Sequence, residues 1–189
     1  MSAHSAASRQ RTLSPMTTAG PVSGVVVRVP LPAPLERLRR HEDFAAKVGV
    51  PAHVTLLFPF MPAAALRPPV RKALAEIAST VEPFDVRFAA VDRFPGVVYL
   101  VPEPAATFTA LTDAIAARFP EYQPYEGAFD VVIPHLTLVE SPTGSLDEIA
   151  VAAQRHLPFT RRVAVMEVLV EGPDERWHGH WRIKLGAHG

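Results

Sequence analysis

The chain has no cysteine. That excludes disulfides, zinc–thiolate sites and a cysteine nucleophile, and it agrees with a cytoplasmic location, the one expected here. There is no apolar run of the roughly 20 residues that a membrane helix needs, so no membrane partner is expected. Neither charge is in excess, with 19 Lys and Arg against 19 Asp and Glu. A broad electrostatic footprint for duplex DNA is thereby set aside, and long RNA is disfavoured, while a small local phosphate site is not. Residues 1–20 contain no acidic residue and no apolar periodicity. They lack the apolar centre of a secretory signal, and although Arg9 and Arg11 faintly suggest a transit peptide, an unstructured tail is the preferred reading, with Met16 as an alternative start.

What is present is enough for a proper core: 189 residues, 48% of them hydrophobic. That length fits one domain or one compact two-lobed unit, taken here as residues 21–189 and expected to be a monomer. The 20 prolines fall mostly at element junctions. Residues 24–29 read as a strand, broken by Pro30 to Pro34, and 35–48 as an amphipathic helix with Leu35, Leu38, Phe44 and Val48 inward. A strand follows over 52–58, then a helix opened by Pro68 and Pro69 and running to about Val81, then a strand over 84–94.

The pattern then restarts. Gly24 to Ala33 lies against Gly96 to Ala105, with Pro30 on Pro102 and Pro32 on Pro104, an offset of 72. The second copy reads as a strand over 97–101, a helix over 107–119 with Phe108, Leu111 and Ile115 inward, a strand over 130–139, a helix over 145–156 opened by the Ser145/Glu148 capping box, and strands over 162–170 and 180–185. Each half, about 24–94 and 96–185, is therefore β-α-β-α-β. An insertion between helix and strand in the second half would account for a ten-residue difference in spacing, and the loop-like stretch 120–127 is the candidate for it.

The halves share one chemical motif. His53-Val54-Thr55-Leu56 recurs as His135-Leu136-Thr137-Leu138, 82 residues on. Side chains alternate along a strand, so each copy presents an imidazole and a hydroxyl on one face and an apolar residue on the other. A lone strand histidine is usually a core residue satisfied by a backbone carbonyl; the repetition argues for chemistry.

On these two His-x-Thr-x motifs, placed alike in a duplicated unit, residues 24–185 resemble the two-histidine phosphoesterase superfamily and, within it, the 2′-5′ RNA ligase-like and cyclic nucleotide phosphodiesterase branch. The resemblance implies an α+β fold: a two-lobed duplication with antiparallel sheets around a central cleft and helices outside. It also implies action on a cyclic or 2′-5′ ribose phosphoester, such as a 2′,3′-cyclic phosphate, in a nucleotide or at an RNA end. In that reading His53 and His135 form an acid/base pair, since imidazole holds either protonation state near neutrality. Thr55 and Thr137 bind the non-bridging phosphate oxygens. No metal and no cofactor is called for. Which histidine is acid and which is base is left open. The alternative is a domain that binds a nucleotide or RNA end without turning it over; a partner-docking module is a third reading, which an exposed apolar patch would support.

Other residues have competing readings. Trp177-His178-Gly179-His180-Trp181 spaces two histidines for a metal or for a base held between indoles, with Asp174 and Glu175 nearby, but a surface hairpin is preferred. Arg28, Arg93 and Arg182 are candidates for phosphate contact and read first as solvated strand residues. Tyr99, aligned with Val27 by the 72-residue offset, lines the cleft or packs. His41 and His156 read as exposed helix residues, and Asp147-Glu148 as helix-cap chemistry.

Overall fold

A computed structural model of the chain describes residues 21–140 and 144–186. The tail expected over residues 1–20 lies outside them. In chain order the elements are β1 (Ser23–Arg28), α1 (Ala33–Glu42), α2 (Phe44–Lys47), β2 (His53–Leu57), α3 (Pro68–Ser79), β3 (Phe84–Phe94), β4 (Val97–Glu103), α4 (Ala105–Arg118), β5 (Leu136–Glu140), α5 (Leu146–Gln154), β6 (Phe159–Val163), β7 (Val165–Glu171) and β8 (Trp177–Lys184), with 3-10 turns at Ala63–Ala65 and Pro124–Gly127.

The fold is α+β, and every strand pair is antiparallel. The eight strands form one continuous sheet in the order β6-β3-β4-β5-β2-β1-β7-β8. The two motif strands, β5 and β2, are its central pair and meet at a single position, Val54 opposite Leu136. Four strands stand on each side of this junction, and the third strand of each repeat is exchanged: β3 pairs with β4 of the second half, and β7 pairs with β1 of the first. The sequence repeats and the spatial lobes therefore do not coincide. The helices cross in the same way, α1 packing on β5 and α4 on β2. This is why β-α-β order does not yield parallel neighbours here: α1 and α4 each leave their own strand pair and cover the other lobe's motif strand.

Three elements depart most from the sequence reading. The helix expected over 35–48 breaks at Asp43, whose backbone is extended (φ −95°, ψ 125°) and whose carboxylate caps α2 by accepting the Ala46 N–H at 3.1 Å. Phe44, expected inward, is 72% exposed, because the break rotates it off the Leu35 stripe. The strand expected over 130–139 begins only at Leu136, and the one over 162–170 divides at Ala164 into β6 and β7.

Each motif strand carries one extra residue opposite its partner. The register moves from Val25 opposite Leu57 to Val26 opposite Thr55, leaving Leu56 over, and from Val98 opposite Val139 to Tyr99 opposite Thr137, leaving Leu138 over. The bulge explains why alternation ends there and Leu56, Leu57, Leu138 and Val139 are all buried. The pairing also sets the repeat offset at 73 along these strands: Tyr99 stands where Val26 stands, not Val27.

Candidate active site

Val54 and Leu136 have no exposed surface and face the helices, whereas His53, Thr55, His135 and Thr137 are half-buried on the opposite, open face. Extending the Val54–Leu136 register by one residue sets His53 across from Thr137 and Thr55 across from His135. The four residues singled out in the sequence are thus brought together as two interlocked His/Thr pairs on one surface.

The imidazoles are held alike. His53 Nδ1 lies 2.7 Å from the Pro51 carbonyl and His135 Nδ1 lies 2.7 Å from the Ile133 carbonyl, in each case two residues upstream. A carbonyl only accepts, so Nδ1 carries the proton in both rings and Nε2 is the nitrogen left for proton transfer. Thr55 Oγ1 is 3.1 Å from His53 Nε2 and donates to it when the ring is neutral. The Tyr125 phenol lies beside Thr55 in turn.

Their electrostatic surroundings differ. His53 is pushed down to about 4, chiefly by burial, with the charges of Arg39 and His135 adding to the shift and the Pro51 carbonyl opposing it. His135 is also lowered by burial, but the Ile133 carbonyl and the Glu140 carboxylate both work against the shift. His135 further sits in an aromatic corner, its centroid 5.1 Å from Phe94 and 5.3 Å from Tyr99, with those two rings stacked at 4.3 Å. Tyr99 donates to Asp92 Oδ2 at 3.1 Å; burial and that carboxylate raise its phenol, so it stays neutral.

Sequence reasoning did not find Arg39 and Asp43. They are 3% and 1% exposed and form an ion pair at 3.2 Å beneath the site. Arg39 Nη1 donates to the Val50 carbonyl at 2.8 Å, just ahead of the first motif, and Asp43 Oδ1 accepts the Glu140 N–H at 3.2 Å, at the end of the second motif strand. The pair thus ties together the approach to β2 and the end of β5. One signal was available: Arg39 falls four residues after Leu35, on the inward stripe of α1, where a charge must be paired.

Of the three arginines considered for phosphate contact, Arg28 is paired in register with His53 and exposed on the site's face. Arg182 is held at 3.3 Å by Glu167, which is 6% exposed. Arg93 points to the helix side and pairs with Asp147 in the first turn of α5. His178 contacts Asp174 at 3.3 Å on the edge strand β8, and Trp177 packs edge-to-face on Phe58. Among the described residues no three His, Asp or Glu side chains converge as a metal would need.

A duplicated antiparallel sheet with one His/Thr pair from each half on its open face defines a two-histidine protein. The chain belongs to the 2′-5′ RNA ligase superfamily, whose model matches residues 27–174. Among solved structures it is similar to TT0787 of Thermus thermophilus (19% identity, TM-score 0.59, covering 89% of this chain and 100% of that one). It is also similar to LigT of E. coli, both in apo form (16% identity, TM-score 0.53, 88% and 99% covered) and complexed with 3′-AMP (18%, 0.51, 87% and 98%). At these identities the likeness is one of fold. No curated protein matches the chain.

Proposed function

We propose that the protein is a metal-independent phosphoesterase acting on a cyclic or 2′-5′ ribose phosphoester, a 2′,3′-cyclic phosphate being the simplest case, with His53 as base and His135 as acid. The observation that carries this is the matched anchoring: two imidazoles on one open face, each with Nδ1–H tied to the carbonyl two residues upstream and Nε2 turned to proton transfer. Nε2 of His53 takes a proton from water as the water oxygen bonds to phosphorus. The phosphorus–oxygen bond to the leaving ribose oxygen breaks, and Nε2–H of His135 supplies its proton. The two carbonyls steady whichever ring is cationic. When the Thr55 hydroxyl turns from His53 to a phosphate oxygen, it releases the base and stabilises the charge growing there, as Thr137 does from the other strand.

The roles follow from the surroundings. A buried guanidinium beside His53 opposes its cation, and Glu140 favours the cation of His135. An anionic substrate raises both rings, so the acid is charged when phosphate is bound. The E. coli protein of similar fold, crystallised with 3′-AMP and with ATP, supports a nucleotide as the carrier of the phosphoester.

The test is a panel of nucleoside 2′,3′-cyclic phosphates and 2′-5′ dinucleotides, with the product identified as 2′- or 3′-phosphate. Turnover of at least one class is expected; tight binding with no product at any pH would instead make this a binding domain.

A further inference from the structure

One segment of the site has no counterpart in the other half. The stretch Pro120 to Gly127 and the irregular chain leading to Ile133 stand beside the Thr55 end of the motif pair. Tyr125 and Glu126 are consecutive non-glycine residues in the left-handed region (φ 51° and 57°), a costly conformation held by the Tyr125 N–H bond to the Phe58 carbonyl at 2.7 Å. That bond fixes the segment to the end of β2, and Tyr125 reaches Thr55 from it. Between this segment and α4 lies a cavity of about 340 Å³ with Thr55 in its lining, within the size range of small-molecule pockets, roughly 300–1,000 Å³. Its lining includes Thr112 and Asp113 of α4 together with Gln123, Phe129 and Asp130. The charged side chains in that lining are both carboxylates and none is cationic. Phe129, 60% exposed, stands edge-to-face with Tyr125 at 5.5 Å.

We propose that this cavity is the subsite for the nucleobase of the substrate, and that it prefers guanine. The inference rests on the phosphoester reading above and adds the part of the substrate that reading leaves open. Phosphate is disfavoured in the cavity by its two carboxylates and belongs with the histidines and threonines; Thr55, which lines the cavity, is common to both places. What enters is the neutral part of the nucleotide, a flat group able to stack on an exposed aromatic ring and to donate hydrogen bonds. A carboxylate accepts two parallel donors from one edge, and guanine alone among the common bases offers adjacent N–H groups there, from its ring nitrogen and its exocyclic amine.

Calorimetric titration of the full chain with guanosine and adenosine 2′- and 3′-monophosphates, and with the corresponding ribose phosphates lacking a base, tests this. The guanosine nucleotides should bind about 10-fold or more tightly than ribose phosphate, and tighter than the adenosine ones. Asp113→Asn should remove the guanine preference, and Phe129→Ala should weaken both nucleotides, with ribose phosphate unchanged in each. Both residues are exposed, and matching melting curves would exclude misfolding. Ribose phosphate binding as tightly as the nucleotides, base discrimination surviving Asp113→Asn, or an equal loss of ribose phosphate in the variants would overturn the proposal. The two readings fail separately. Nucleotides bound with this pattern but no cyclic phosphate hydrolysed would defeat the activity and leave the subsite standing. Equal kcat/KM on cyclic phosphates with and without a base would defeat the subsite and leave the activity standing.

Discussion

His53 and His135 occupy equivalent places without equivalent surroundings, and the difference is measurable. In the free protein both rings lie below the ordinary histidine value, His53 at about 4. The bell of kcat/KM against pH should therefore have its acid limb near 4 and its alkaline limb below 6.5, with the limbs belonging to the coupled pair. The limbs of kcat, which report the substrate-bound state, should lie higher, because the bound phosphate favours both cations. Thr55→Val should cost about 10- to 1,000-fold in kcat, the loss of one donor to the growing charge. The same shift carries a stability signature. With a folded value near 4 and an unfolded one near 6.5, the unfolded chain takes up this proton first as pH falls. The neutral ring's contribution is thus complete above 6.5 and is lost between 6.5 and about 4, on the order of 1–3 kcal/mol for a half-buried group. Urea midpoints of His53→Gln should fall less steeply than those of the wild type across that window.

Among the elements, those with a clear period were legible: β1, β2, α3, β3 and α4 stand where the apolar spacing put them. What was not legible depended on contacts distant in sequence. Asp43 breaks a continuous helical pattern because its carboxylate serves α2 and β5 at once, and β5 starts late because Ile133 must turn its carbonyl to His135. The bulges at Leu56 and Leu138 leave no mark in a single strand's sequence, and the strand pairing puts the repeat offset at 73 where the matched prolines give 72. The Arg39–Asp43 pair was missed although its i, i+4 spacing on the inward stripe was visible. Removing one partner leaves the other charge buried, at a cost of about 3–5 kcal/mol. Asp43→Ala should lower the midpoint of urea unfolding accordingly. Arg39→Met should do so too, and in whatever folds it should also move the acid limb of kcat/KM upward, since the guanidinium no longer opposes the His53 cation; lost stability alone would leave that limb in place.

At the scale of the molecule, the duplication is plain in the sequence and the exchange of third strands is not, because strand partners across lobes depend on topology and not on local pattern. The exchange has a consequence. A fragment ending at Phe94 leaves β3 without β4 and β6, β2 without β5 and β1 without β7, with only the β1–β2 pair intact, so residues 21–94 alone should show no cooperative melting transition by circular dichroism. The whole chain should melt in a single step. Because the proposed proton transfers need only the two imidazoles, turnover should survive EDTA; loss with restoration by a divalent ion would redirect attention to His178 and His180. The central claim is that each half contributes one member of an acid/base pair. It is tested most directly by single-turnover rates of the wild type, His53→Ala, His135→Ala and the double variant on a 2′,3′-cyclic phosphate that the wild type cleaves. Each single change should cost at least about 100-fold, and the double change far less than the product of the two, because half of such a pair achieves little alone. A double variant turning over near the wild-type rate would contradict the account and reduce both motifs to strands that happen to carry a histidine.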